Sequence, residues 1–155
     1  MLSTILVGGV LTSIAITLVV LATYVLCPHV FLAELTHGKE HGPPLITAAV
    51  AVSITLMMVG GAALTCAWAT PAEPLTFWQR TLIAYGVIAF FCLYDLFIID
   101  VVIYDWIKPP FMRFEGYPRL DIWHHTKASL KGLVPIGIPM ALLAGYLGGR
   151  LPNAG

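Results

Sequence analysis

Charged side chains are scarce in this sequence: eight Lys and Arg balance eight Asp and Glu, 10% of 155 residues, against about 25% in a typical soluble domain. A water-facing surface cannot be built from so few. Hydrophobic residues make up 59% of the chain and the mean hydropathy is +0.89, so most apolar surface is expected to face lipid, in one domain over residues 1–155. The balanced charge, with no basic face interleaved with aromatics, excludes nucleic acid as a partner. Cysteine is sparse too. Cys27, Cys66 and Cys92 lie far apart in or beside apolar runs without a CxxC pair, which points to buried thiols rather than a zinc site. Also missing are a Ser-His-Asp or Cys-His order, a phosphate-cradling glycine loop and an HExxH helix, so the mechanisms of soluble enzymes have no footing. No repeat relates the two halves, which leaves an inverted-repeat transporter without support.

What the sequence does have is long apolar runs. From Leu2 to Pro28 there is no Asp, Glu, Lys, Arg or His, and about 20 apolar residues suffice to cross a ~30 Å hydrocarbon core. The run lacks a basic n-region, and the bulky Leu26 precedes Cys27, so it is expected to stay in the mature protein rather than be cleaved or lipidated. A second run opens at Pro43-Pro44 and closes at Trp68, before Pro71 and Pro74, as proline chemistry favours. Trp68, Phe77 and Trp78 bracket the connection to the third run, as aromatics do at headgroup level. The third run extends from near Arg80 to Ile107, ahead of Pro109-Pro110. The fourth has Asp121 as a helix cap, an amphipathic stretch from Ile122 to Lys131, and Pro135 and Pro139 to bend it.

The pattern predicts an all-α polytopic membrane protein, four transmembrane helices in a bundle near 3–27, 44–68, 80–107 and 122–147. Gly137, Ala141, Gly145 and Gly149 recur every four residues. Such a stripe lets a second backbone approach closely, within the chain, in a homo-oligomer or with a membrane-complex partner. Lys39, Lys108, Arg113, Arg119, Lys127 and Lys131 gather around the first and third loops, against Arg80 and Arg150 on the other side. By the positive-inside rule this puts loops one and three in the cytoplasm and both termini outside, in a plasma or bacterial inner membrane.

The third run carries Asp95, Asp100 and Asp105. In an α-helix each five-residue step turns about 140°, so the three would not share one stripe. Asp95 precedes Lys108 by 13 residues, about 20 Å at ~1.5 Å per residue. That places Asp95 near mid-membrane, Asp100 between the centre and the boundary, and Asp105 at the interface. An acid at depth is costly unless it pairs, faces the bundle interior or is protonated, which makes these three the candidates for binding a proton, a cation or a partner helix. With no Lys or Arg assigned to its depth, Asp95 in a dry core is expected to keep its proton.

All five histidines fall on the cytoplasmic side in this topology. His37 and His41 are spaced i, i+4, and His124 and His125 open the fourth helix. With neighbouring acids they offer an N/O ligand set for a metal ion such as zinc or iron, or for haem. The HxxxH and HH elements resemble fragments of the histidine boxes of membrane di-iron desaturases and hydroxylases, whose ligand sets are larger. In loop three, Lys108, Arg113 and Arg119 stand among aromatics and prolines. Each is expected to gain about 1 kcal/mol at an anionic surface, either as plain anchoring or by contact with lipid headgroups.

Two functions follow. The leading one is a non-enzymatic membrane component, an accessory subunit or a small transport element, that uses the intramembrane acids. The rival is a membrane-embedded enzyme with a His/Asp metal or haem site at the cytoplasmic face, acting on a lipidic substrate.

Overall fold

The computed structural model describes residues 1–27, 30, 43–69, 74–107 and 122–151. All regular structure among them is helical. Helix α1 spans Leu2–Leu26, α2 Pro44–Trp68 and α3 Phe77–Tyr94. Beyond Tyr94 the third helix continues as a π-wound segment, Asp95–Ile107. Two short helices complete the chain, α4 at Ile122–Leu133 and α5 at Gly137–Gly148. Among the described residues, α1, α2 and α3 with its continuation to Ile103 are long and apolar enough to cross a membrane. The 25 residues of α1 or α2 make about 37 Å of helix.

Five hydroxyls inside these apolar helices are satisfied locally. Thr17, Thr23, Ser53, Thr55 and Thr65 each donate to the carbonyl four residues earlier, at 2.8 Å, which spares a polar group a search for partners in an apolar surrounding. Helix α2 begins with Pro44 in its first turn, where a missing N–H costs nothing. Helix α3 begins three residues before Arg80 because Thr76 and Gln79 form a capping box. The Gln79 amide donates to Thr76 Oγ1 at 3.3 Å, and the Thr76 amide donates to Gln79 Oε1 at 2.8 Å.

The expected fourth helix, 122–147, is two helices. Pro135 and Pro139 lack the amide donors that would continue the backbone ladder, and the chain turns at 134–136 before helix resumes at Gly137. The 12 residues of α5 give about 18 Å of helix, shorter than a ~30 Å hydrocarbon core. Among the described residues the structure therefore has three long apolar helices and one interrupted segment.

Helix α5 lies between α2 and α3. Their joint core holds Val59, Ala62, Ala63 and Cys66 of α2, Ile83, Ala84, Val87 and Ile88 of α3, and Ala141 and Ala144 of α5. A second core joins Ile16, Val20 and Tyr24 of α1 to Phe91 and Ile99. Close helix crossings rest on small residues: Gly8 lies against Thr65, Gly61 against Thr12, and Gly9 against Phe90. Gly137, Ala141 and Gly145 are buried inside the chain, so that part of the stripe serves packing of α5 on its own neighbours. Gly149, the last member, is exposed and stands beside the Arg80 guanidinium.

Candidate functional site

The acids sit on the π-wound segment, and that winding changes their mutual arrangement. Hydrogen bonds of a π-helix link residues five apart and its turn is wider than an α-helix's, about 4.4 residues, so the five-residue step from Asp95 to Asp100 overshoots one turn by about 50°. Asp95 and Asp100 therefore lie on adjoining parts of one face instead of being staggered by about 140°. A wider helix also advances less per residue, which makes the α-helical distance of ~20 Å between Asp95 and Lys108 an upper bound. Both acids therefore stand nearer the Ile107 end than an α-helix would put them.

Asp100 is 6% exposed and Asp95 is half-buried. Beside them, Tyr24 of α1 is 1% exposed and packs in the core that contains Ile99 and Ile103. One to two turns away, Thr17 Oγ1 of α1 lies 3.5 Å from Tyr94 Oη. Ser13 Oγ is fully buried and has no hydrogen-bond partner among the described residues. Tyr24, Asp95 and Asp100 are each engaged by neighbours, as are Thr126 and Lys127 of α4.

Helix α4 bears directly on this site. Its Leu130 and Leu133 enclose, with Ala89, Cys92, Leu93 and Leu96, a wholly apolar void of about 90 Å³. Further along, Gly137 faces Tyr85 and Ile88. Helices α4 and α5 therefore run antiparallel to the third helix, and α4 contacts both α3 and the π segment. Lys127 and Lys131 on its exposed side stand at the level of the acids. The sequence argument left these two lysines in or beside loop three, whereas their helix packs on the segment that carries Asp95.

The other predicted site residues are brought less fully into view. His37, His41, Lys108, Arg113 and Arg119 lie outside the described residues. For Asp105, His124 and His125 the structure describes the helical backbone and not the side chains. Among the described residues, no three His, Cys, Asp or Glu side chains converge as a metal-binding group. A separate apolar groove of about 720 Å³ runs between α1 and α2, past Gly8, Thr12, Gly60 and Trp68.

Two contributors were passed over in the sequence. Tyr24 is the single tyrosine of α1, a helix without charged residues. Lys127 was counted only for orientation, although its place three residues before Leu130 on an amphipathic helix is readable. No known protein family, curated protein or solved structure matches this chain.

Proposed function

We propose that the chain is a non-enzymatic membrane component, a small transport element or an accessory subunit, in which Asp95 and Asp100 take up and release a proton or small cation. The observation that carries this is Asp100, a carboxyl group 6% exposed on an irregular stretch of a helix long enough to cross the bilayer. Ionisable groups are retained at such depth mainly for pairing or ion handling, and π-wound stretches recur at functional sites. In this proposal α4 and α5 together form a fourth, interrupted pass. Loops one and three then face the cytoplasm and both termini the outside, as the Lys and Arg distribution favours. Taking Leu82 as the first core residue after Arg80, Asp95 lies about 20 Å in, at ~1.5 Å per residue. That is two-thirds of the way through a ~30 Å core, and Asp100 lies nearer the cytoplasmic boundary.

The test is dissipation of an imposed pH or cation gradient in proteoliposomes, read with an entrapped dye. Wild-type protein is expected to relax the gradient faster than empty vesicles. Asp100→Asn preserves shape and hydrogen bonding but cannot ionise, so it is expected to abolish relaxation while changing thermal stability little. Asp100→Leu is expected to lose stability as well, by about 0.6 to 2 kcal/mol for a hydrogen bond in a membrane helix. Full gradient relaxation by Asp100→Asn would remove the acid from the mechanism.

A further inference from the structure

We infer that Lys127 of α4 is the counter-charge of Asp95, so that the acid site is an acid–ammonium pair from which the ammonium must part before a proton or cation is bound. The second half of this statement rests on the function proposed above; the first half stands on packing alone.

The helices around the π segment leave few candidates for such a partner. Helices α1 and α2 contain no Asp, Glu, Lys, Arg or His at all. The charged groups of known side-chain exposure at this level are Asp95 and Asp100 on the π segment and Lys127 and Lys131 on α4. Tyr24 and Tyr94 are the nearby phenols, and His124 and His125 lie further toward the start of α4.

Height along α4 then separates the two lysines, which share one side of the helix. Leu130 shares the 90 Å³ void with Cys92, Leu93 and Leu96, and Leu96 directly follows Asp95. Lys127 lies three residues before Leu130, about 4.5 Å along the axis toward the Asp100 end, and is turned only about 60° from it. Lys131 lies on the same side of α4, about 40° further round, and about 1.5 Å from Leu130 in the opposite direction, so its position is the further of the two from the Asp100 end. Thr126, four residues before Leu130, falls on the contact face. Asp95, Thr126 and Lys127 are all engaged by neighbours. Lys127 is exposed and Asp95 half-buried, which suits a long aliphatic stem lying along apolar surface with its ammonium at the edge of the face that carries the acids.

Physically, the pair explains how a carboxyl group and an ammonium share a depth where either alone is disfavoured. It also makes Lys127 a positioning residue. A proton or cation arriving at Asp95 displaces the ammonium, and the proline-interrupted joint at 134–136 gives α4 a place to yield.

The test combines infrared spectroscopy of the carboxyl region with thermal unfolding in detergent, both on the full chain. At neutral pH wild-type Asp95 should show carboxylate absorption. Lys127→Gln should produce a new protonated-carboxyl band that vanishes in the Lys127→Gln, Asp95→Asn double variant and is absent from Lys127→Arg. A merely structural lysine would not move that band. In parallel, Asp95→Lys and Lys127→Asp should each lower the melting temperature, and the exchanged double variant should recover at least half of the summed loss. A Lys127→Gln spectrum identical to wild type would overturn the inference, as would a double variant whose loss equals the sum of the two singles. Gradient relaxation by wild-type protein decides the functional reading separately. A coupled pair without relaxation leaves Lys127 as partner and refutes transport, whereas relaxation without coupling refutes this inference alone.

Discussion

Gly145→Val is expected to lower stability by about 3 kcal/mol, the upper end for overpacking, and to reduce the yield of folded protein sharply. Helix α5 sits against α3 at a distance set by the missing side chain. A Cβ at position 145 would lie 2.9 Å from the Thr81 backbone nitrogen, 3.0 Å from its Cα and 2.7 Å from its Oγ1. Two of these are main-chain atoms and have no rotamer to escape into, so the helices must separate. Separation propagates, because Gly148 is equally close to α2, where a Cβ would meet the Ala63 carbonyl oxygen at 2.8 Å. Gly60→Ala is the control. Nothing lies within 4 Å of a Cβ there, so that change should be neutral or stabilising by roughly 0.5 to 1 kcal/mol through helix propensity. Thermal unfolding of the two variants in the same detergent checks both expectations. Equal melting temperatures would contradict the close approach of α5.

Arg80→Met is expected to cost about 2 to 4 kcal/mol, from two charge-assisted hydrogen bonds discounted for partial exposure. Arg80 Nε donates to the Gly145 carbonyl at 3.1 Å, and Nη1 donates to the Leu75 carbonyl. The guanidinium thus ties the start of α3 to the end of α5 and meets the negative end of the α5 dipole. Arg80→Lys keeps the charge but presents a single ammonium in place of a fork, so it should recover only part of the loss. Melting temperatures ordered wild type, Arg80→Lys, Arg80→Met are the predicted result. A wild-type melting temperature for Arg80→Met would show that the clasp contributes nothing. In the sequence Arg80 marks the start of the third run and one of two basic residues weighed against the cytoplasmic loops; its role as a clasp is visible only in the fold.

The long helices were legible because apolar length is written directly in the sequence: α2 begins and ends at Pro44 and Trp68, where flanking prolines and a tryptophan mark it. The Thr76-to-Gln79 capping box was legible too, as a Thr followed three residues later by Gln, yet Arg80 drew attention as the first charge. The stripe of Gly137, Ala141 and Gly145 announced close packing but not its partner, because small residues say how near a helix can come and not which one comes. The turn at 134–136 falls where Pro135 was expected to bend the chain, and the amides of Ile136, Ile138 and Met140 still reach the carbonyls four residues back across it. The π winding after Tyr94 had no local signature. Asp95–Ile107 reads as an ordinary apolar α-helix with acids. For that reason the closer arrangement of Asp95 and Asp100 emerges only in three dimensions.

Everything proposed for Asp95 and Asp100 requires that the start of the π segment lie within the hydrocarbon core. Spin labels on side chains that point outward measure this without disturbing the acids. Phe97 and Trp106 are 59% and 74% exposed and flank Asp100 on the two sides along the helix. With Cys27 and Cys92 replaced, Phe97→Cys and Trp106→Cys would be labelled in proteoliposomes and their relaxation compared in the presence of oxygen and of a water-soluble nickel complex. The predicted result is a Phe97 label open to oxygen and shielded from nickel, and a Trp106 label at the boundary and open to nickel. A Phe97 label as open to nickel as the Trp106 label would put the acids in water and contradict the account.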